Sequence, residues 1–135
     1  MTTTPNPAMR ERYLADNVAT ASPAKLLVML YDRLVLDLTR AEQALIAGDR
    51  SEASGQLLHA QEIVLELRTS LDTAAWEGGP GLADLYGFIL SELIGANVGA
   101  DGARVASCRG LIEPLRDAWR EAAFALTAAV PAVTA

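Results

Sequence analysis

The sequence predicts an all-α protein: an antiparallel up-down-up-down four-helix bundle with a short N-terminal helical arm. Three observations lead to this prediction. Apolar residues recur at helical spacing in four long segments, and no segment alternates with the period of two that a half-buried strand requires. Short glycine-containing turns separate these segments, which favours antiparallel neighbours. The chain has 135 residues, of which 51% are apolar, so we expect a single domain with a substantial core.

Composition and charge argue against several classes of function. The net charge is −6, which disfavours binding to nucleic acid or to anionic membrane surfaces. No run approaches the roughly 20 apolar residues that a membrane helix needs, and residues 1–12 contain no signal-peptide hydrophobic region. Cys108 is the single cysteine, so no internal disulfide framework is expected. We therefore expect a cytoplasmic protein.

Residues 1–16 are predicted to form a partly disordered arm, residues 17–129 the bundle, and residues 130–135 a flexible tail. Within the arm, Met9, Tyr13 and Leu14 fall on roughly one side of a short helical segment. A helix this short is marginal alone and needs a surface on which to dock. Two roles remain open for the arm: permanent packing on the bundle, or a removable lid.

The first long helix is predicted over residues 23–47. Ser22 is a suitable N-cap, and Pro23 occupies the first helical position, where its missing N–H costs nothing. Gly48 ends the helix. One wide apolar stripe follows helical spacing and comprises Leu26, Leu27, Leu30, Leu34, Leu38, Ala41 and Leu45.

The second helix is predicted over residues 50–73. Asp49 and Glu52 resemble a capping box, with Asp in place of the usual Ser or Thr. Its apolar face comprises Leu57, Ala60, Val64, Leu67 and Leu71. The glycine-rich loop at residues 76–81 then interrupts the chain; it lacks the spacing and the lysine of a phosphate-binding loop.

The third and fourth helices are predicted over residues 82–98 and 103–128. Pro114 falls inside the fourth, so we expect a kink at residues 109–113. On the third helix the core side comprises Leu85, Ile89, Leu93 and Ile94, flanked by Tyr86 and Leu90. On the fourth helix the inward residues are Val105, Cys108, Ile112, Leu115, Trp119, Ala122 and Leu126.

The search for catalytic or metal-binding groups finds no active site. His59 is the only histidine, so a di-iron bundle site and a Ser-His-Asp arrangement are both disfavoured. We interpret His59 as a surface or rim residue. Asp32 and Asp37 are interpreted as an acidic pair without partner machinery. A histidine phosphotransfer module remains an alternative, although acidic Glu62 follows where the phosphoryl group would favour a cation.

The first helix carries more apolar residues than one core face accommodates. Residues 26–31 are six consecutive apolar residues, which point in every direction around a helix. We expect an exposed apolar groove there, and such a groove usually binds a partner. The predicted second stripes are Val28, Tyr31 and Val35 on the first helix, and Tyr86, Leu90 and Val98 on the third.

Several of these segments also resemble a known family. The runs VATASP at residues 18–23, KLL at residues 25–27 and MLYD at residues 29–32 closely resemble the opening of the flagellin export chaperones, the FliS family. Two later stretches agree in order and spacing: Leu85-Tyr86 through Leu93, Ala96 and Asn97, and then Asp117-Ala118-Trp119. The resemblance covers roughly residues 13–119.

The resemblance implies a chaperone that binds the C-terminal segment of flagellin, prevents premature polymerisation and delivers the subunit to the flagellar type III export apparatus. The export gate and a regulatory protein are possible further partners; no enzyme activity, cofactor or metal is implied. An adaptor or a histidine phosphotransfer module is the alternative. The residues that match the family and are predicted to bind the partner are Tyr13, Leu26, Leu27, Leu30, Tyr31, Leu85, Tyr86, Leu93, Ala96 and Asn97.

Overall fold

The structure, a computed structural model, describes residues 22–129, and these form four helices. The helices are α1 (Pro23–Ile46), α2 (Arg50–Ser70), α3 (Gly79–Gly99) and α4 (Gly102–Ala129). Helix α1 packs against α2 and α4, and α3 completes the bundle by packing against the same two helices. The predicted all-α bundle is confirmed. The proposed arm and tail lie outside the described residues.

Local sequence signals fix the helix ends. The Ser22 hydroxyl accepts a hydrogen bond from the backbone N–H of Lys25 at 3.2 Å, as a helix N-cap should. Gly48 has φ +76°, a left-handed conformation that glycine adopts without strain, and α1 ends just before it. Asp49 caps α2 by accepting from the N–H of Glu52 at 3.0 Å. The Glu52 carboxylate accepts instead from the Gln56 side chain, so only half of the predicted capping box forms.

The core is built from aliphatic residues of all four helices and two tyrosines. The predicted apolar faces of α1 and α2 are confirmed where they cross the middle of the bundle, because Leu34, Leu38, Leu57 and Val64 are fully buried. On α3, Ile89 and Leu93 are buried as predicted, whereas Leu82, Tyr86 and Ala96, which complete the buried stripe, lie outside the predicted core side. Ile94, predicted to face the core, is 47% exposed because it lies one residue off this stripe.

The predicted inward face of α4 is confirmed only for the first half of the helix. Val105, Cys108 and Ile112 are buried, whereas Ala122 and Leu126 are exposed. A straight helix drifts about 20° per heptad from a strict seven-residue repeat, so a stripe extended over three heptads turns away from the core. Helix α4 continues without a break through Pro114, and the kink at residues 109–113 remains a prediction.

Cys108 is enclosed between the helices. It is 1% exposed, and burial raises the pKa of its thiol to about 11. The thiol therefore stays protonated at neutral pH and packs as a small apolar side chain. This agrees with its predicted position on the inward face of α4.

One carboxylate lies inside the bundle with its own partners. Asp37 is fully buried, accepts a hydrogen bond from Arg33 Nε at 3.0 Å, and its second oxygen contacts Nδ1 of His59. A buried charge is tolerated only when it is paired and hydrogen-bonded, and Arg33 on α1 and His59 on α2 provide that compensation. The interpretation of Asp37 as a carboxylate without a partner is therefore wrong. Asp32 is also paired, with Arg120 of α4 at 2.6 Å.

Replacing Asp37 with Ala is expected to lower the free energy of unfolding by about 2–3 kcal/mol. The change removes two charge-assisted hydrogen bonds, one to Arg33 within α1 and one to His59 of α2, each worth about 1.5–3 kcal/mol, while the half-exposed partners regain water. The measurement is urea unfolding followed by circular dichroism. Asp32→Ala is the matched control, because it breaks a more exposed ion pair worth about 0–1 kcal/mol. Equal losses in both variants would contradict the structural role of the buried carboxylate.

Candidate functional site

An open groove of about 640 Å³ lies where α1 and α3 begin and α2 ends, and we call it the apolar groove. Six leucines and two tryptophans are among its fourteen lining residues. Helices α1, α2, α3 and α4 and the loop at residues 71–78 all contribute to it. It is lined by Pro23, Leu26, Leu27, Leu30, Glu66, Leu67, Ser70, Leu71, Asp72, Ala75, Trp76, Leu82, Tyr86 and Trp119.

The groove exists because the first turns of α1 carry apolar residues that the core does not fully cover. Leu26, Leu27 and Leu30 are only partly buried, although the core of the same helix begins with Tyr31. Leu27 and Leu30 also pack against the core cluster, whereas Leu26 contributes to the groove alone. The predicted excess of apolar surface at the start of α1 is therefore observed.

Aromatic rings form one wall and the floor. Trp76 of the loop meets Trp119 of α4 edge to face, with ring centroids 6.5 Å apart. Trp119 in turn lies 6.3 Å from Tyr31, and Tyr31 lies 6.5 Å from Tyr86. Such tilted pairs stabilise by about 0.5–1.5 kcal/mol beyond the area that they bury. The rings thus form a continuous series of contacts from the groove into the core.

Two tyrosine hydroxyls meet beneath the groove. The Tyr31 and Tyr86 oxygens are 2.5 Å apart, and the two residues are 0% and 1% exposed. Burial raises the pKa of both phenols, and for Tyr86 the hydrogen bond to Tyr31 raises it further. Both hydroxyls are therefore neutral, and each keeps its hydrogen at any physiological pH.

The loop at residues 71–78 is held against α3 by a close backbone approach. A Cβ at Gly79 would lie 2.7 Å from the carbonyl oxygen of Thr73 and 2.9 Å from its Cα. Only glycine permits this distance, because backbone atoms cannot turn aside as a flexible side chain can. The approach closes the loop and places Trp76 at the groove.

Gly79→Ala is expected to lower the free energy of unfolding by about 1–3 kcal/mol, as overpacking against backbone does. Gly81→Ala is the matched control two residues along the same helix, because a Cβ there meets nothing within 4 Å. That variant should gain about 0.5–1 kcal/mol, since alanine is favoured over glycine inside a helix. Thermal melts of both variants test the pair, and a stabilised Gly79→Ala protein would show that the loop is loosely held.

The predicted site residues separate into three groups. Leu26, Leu27, Leu30 and Tyr86 line the apolar groove, and Tyr31 lies directly beneath it. Leu93 and Ala96 are core residues, and Leu85 is partly buried against the core. Asn97 lines a second, more polar groove beside Arg50 and Val98. Tyr13 lies outside the described residues.

The predicted second apolar stripe of α1 is wrong. Tyr31 is 0% and Val35 9% exposed, so both belong to the core. On α3, Tyr86 is buried and only Val98 of the predicted stripe is widely exposed, at 75%. The excess apolar surface lies instead on Leu26, Leu27 and Leu30, which precede Tyr31 on the same helix. The six-residue apolar run showed that some side chains must face outward, but the direction depends on where α4 packs.

Sequence reasoning missed the contribution of the loop and of α2. Trp76 was interpreted only as part of a loop, and Leu67 and Leu71 only as core residues, yet all three line the groove. A signal was present for Trp76, because a large aromatic residue in a glycine-rich loop needs an apolar surface nearby. Trp119 was expected to face inward and does so, half-buried between the groove and Tyr31.

The described residues offer little for chemistry. Between residues 22 and 129 no group of histidine, cysteine and carboxylate side chains has the arrangement of a metal site. In the same part of the chain, no helix has the length and hydropathy needed to cross a membrane. The Nδ1 atom of His59 faces the buried carboxylate of Asp37, and an anionic neighbour disfavours a phosphoryl group on that ring. The geometry therefore favours a binding protein over a phosphotransfer module.

Comparison with known proteins also favours a binding protein over a phosphotransfer module. The sequence profile of the family described as "Flagellar protein FliS" matches residues 5–125. The flagellar secretion chaperone FliS of Bacillus subtilis (strain 168) is 30% identical over 110 residues, which cover 82% of each chain. The chaperone of the same name from Salmonella typhimurium (strain LT2) is 30% identical over 107 residues, covering 77% of this chain and 78% of the relative. A crystal structure of a flagellar chaperone from bacteria superposes with a TM-score of 0.69, covering 87% of this chain and 97% of that one; at 20% identity this likeness shows the fold alone.

Proposed function

The chain belongs to the FliS family of flagellar secretion chaperones, and from this membership we propose that it binds the C-terminal segment of flagellin, keeps the subunit from polymerising and delivers it to the flagellar type III export apparatus. The site of action would be the cytoplasm. The export gate and a regulatory protein are proposed as further partners. The family assignment supports the client class, and the apolar groove is the structural observation that supports its binding mode.

The groove fits a helical segment with one apolar side. Its volume of about 640 Å³ is lined by leucine and aromatic side chains, including leucines from about two turns of α1 and Leu67 from the last turns of α2. Amphipathic helices bind such grooves through apolar side chains at positions i, i+3 or i+4, and i+7. Each leucine-sized side chain that becomes fully buried contributes about 1.5–3 kcal/mol, so two or three anchors would give useful affinity.

The chaperone would work by mass action and without catalysis. A binding partner stabilises the bound form by RT ln(1 + [L]/Kd), about 2.7 kcal/mol when the free partner concentration is one hundred times Kd. Flagellin segments held in the groove would be withdrawn from the pool that polymerises. Release would follow when another partner binds the chaperone or the client more tightly.

The direct test is stoichiometric binding in solution. Purified chain is mixed with the flagellin from the same cells, and light scattering after gel filtration should show a complex with one copy of each. Flagellin truncated before its C-terminal segment is the control and should remain free. Binding of the truncated subunit, or no complex with the intact one, would overturn the proposal.

Residues 1–16 are proposed to act as a lid on the same groove. The chain enters the bundle through Ser22, directly before Pro23, which lines the groove, so the preceding segment is tethered at its edge. Deleting residues 1–16 is then expected to tighten client binding several-fold, because removing a competing occupant raises the fraction of open chaperone. Calorimetric titration with the flagellin segment measures this. Weaker binding by the truncated chain would show that these residues join the interface.

A further inference from the structure

Two exposed carboxylates lie at the edge of the apolar groove, and we call them the acidic rim. Glu66, near the end of α2, and Asp72, in the loop after it, both line the groove and are solvent-exposed. Neither forms an ion pair within residues 22–129. No lysine or arginine is among the described residues that line the groove. The rim therefore presents negative charge beside an apolar surface.

Local hydrogen bonds hold both carboxylates in place. The Ser70 hydroxyl donates to Glu66 Oε1 at 3.1 Å, and the backbone N–H of Ala74 donates to Asp72 Oδ1 at 3.1 Å. The second oxygen of each carboxylate has no hydrogen-bond donor in the described part of the chain. Arg68 is close in sequence, but its guanidinium lies beside Gly87 of α3. A cation that comes from elsewhere thus meets two carboxylates that are already positioned.

The segment that precedes α1 carries complementary charges. Its only basic side chains are those of Arg10 and Arg12, which we call the arm arginines. They stand next to Met9 and Tyr13, which the sequence places on one side of a short helical segment. In such a helix the acidic Glu11 points away from that side, because residues two apart do not face each other. Arginine can lay its aliphatic stem on an apolar surface while its charged end reaches a carboxylate.

The chain is long enough to bring these charges together. Ser22 caps α1 directly before Pro23, and Pro23 lines the groove. Arg12 lies ten residues before Ser22, which corresponds to about 15 Å in a helix and up to about 33 Å in an extended chain. A tethered segment also has an effective concentration in the millimolar range, so weak contacts suffice to hold it.

We infer that the arm arginines pair with the acidic rim and so hold residues 1–16 over the apolar groove. This electrostatic latch rests on the proposed function, because the lid that it regulates is part of that proposal. The tethered segment is a better occupant than a second copy of the chain, whose net charge of −6 opposes an acidic rim. The latch names the contacts that keep the groove closed and makes their strength depend on charge.

One consequence concerns what opens the groove. Ion pairs between exposed groups are screened by salt, so the latch loosens as ionic strength rises. A client segment that carries lysine or arginine beside its apolar side chains would compete for the same two carboxylates. The latch therefore favours displacement by a basic amphipathic segment over displacement by a purely apolar one.

Limited digestion with trypsin tests the latch without any client. Trypsin cleaves after arginine, so the cleavage rate at the arm arginines reports the population in which the latch is open. The variant Glu66→Gln/Asp72→Asn removes both rim charges and keeps the side-chain shapes and both cleavage sites. We expect these sites to be cut about 2- to 10-fold faster, the range that one or two exposed ion pairs give.

Salt should reproduce this effect in the unaltered chain. Raising NaCl from about 0.05 to about 0.5 M is expected to accelerate the same cuts by a similar factor, because it shortens the screening length. A synthetic peptide of residues 1–21 corrects for the salt dependence of trypsin itself. An unaltered chain that is cut as fast as this peptide at low salt would show that the segment is not held, and would overturn the inference.

Glu62→Gln/Asp84→Asn is the matched control. It changes the net charge by the same amount at two exposed carboxylates that do not line the groove and form no ion pair within the described residues. Its cleavage rate should equal that of the unaltered chain, and both double variants should keep the helical circular dichroism spectrum. Equal acceleration in the two variants would show that only overall charge matters, which contradicts a latch at the rim.

Calorimetric titration with the C-terminal flagellin segment connects the latch to client binding. The rim substitutions should help binding by the full chain about 2- to 10-fold more than binding by the chain that lacks residues 1–16, because the shorter chain has no latch to release. The same change in affinity in both backgrounds would refute the latch. If no chain bound the segment, the proposed function would fail while the digestion would still decide the latch, so the two failures are distinguishable.

Discussion

Replacing Leu26 with Asp is expected to weaken client binding at least about 100-fold while the four helices remain intact. Leu26 lines the apolar groove, is partly exposed and does not belong to the core cluster. The substitution removes about 1.5–3 kcal/mol of apolar burial in the complex and places a carboxylate beside Glu66 and Asp72, where an apolar client would desolvate it. A loss of about 2.7 kcal/mol already corresponds to a hundredfold change in Kd.

Met29→Asp is the matched control for this prediction. It introduces the same charge on the same helix three residues away, at a side chain that is 37% exposed and does not line the groove. Both variants should retain the helical circular dichroism spectrum and differ only in calorimetric affinity for the flagellin segment. Similar affinities for the two variants would place the client elsewhere on the bundle.

Tyr31→Asp is expected to unfold the protein, or to lower its melting temperature by more than about 15 °C. The Tyr31 side chain is fully buried between Tyr86 and Trp119. Truncating a large buried ring costs about 3–5 kcal/mol, and an unpaired buried carboxylate adds several more, against a total stability of about 5–15 kcal/mol. At this chain length each kcal/mol corresponds to about 3–5 °C.

Thermal denaturation followed by circular dichroism measures the effect. Tyr31→Phe, which keeps the ring and removes only the hydroxyl, should change the free energy of unfolding by about 1 kcal/mol or less. A Tyr31→Asp protein that melts normally but fails to bind the client would show that the ring is an exposed contact residue. That result would contradict the burial described above.

The helices could be predicted because local signals agree with the global pattern. Ser22 before Pro23, Gly48 in the left-handed conformation and the Asp49 cap all act within one or two turns, and each was readable from the order of residues. The start of α3 was predicted three residues too late, at residue 82, and the structure begins it at Gly79. The reason is tertiary, since Gly79 is placed by its contact with Thr73.

The candidate site could be predicted only in part, because it depends on how four helices rotate against one another. The excess of leucine at the start of α1 indicated a groove, and Leu26, Leu27 and Leu30 line it. The apolar periodicity did not show whether Tyr31 faces the core or an exposed surface. A residue within an unbroken apolar run is compatible with both faces of the helix. The pairing of Asp37 with His59 was also invisible, since those residues lie on different helices and meet only after packing.

The buried thiol of Cys108 can report how often the helices of the bundle separate. With a pKa near 11 and almost no exposed surface, this sulfur should react with alkylating reagents only in molecules whose helices have separated. It is the sole cysteine of the sequence, so any covalent label reports one position without engineering. The labelling rate, followed with and without added flagellin, would therefore measure how often the helices of the bundle separate and whether flagellin changes that frequency.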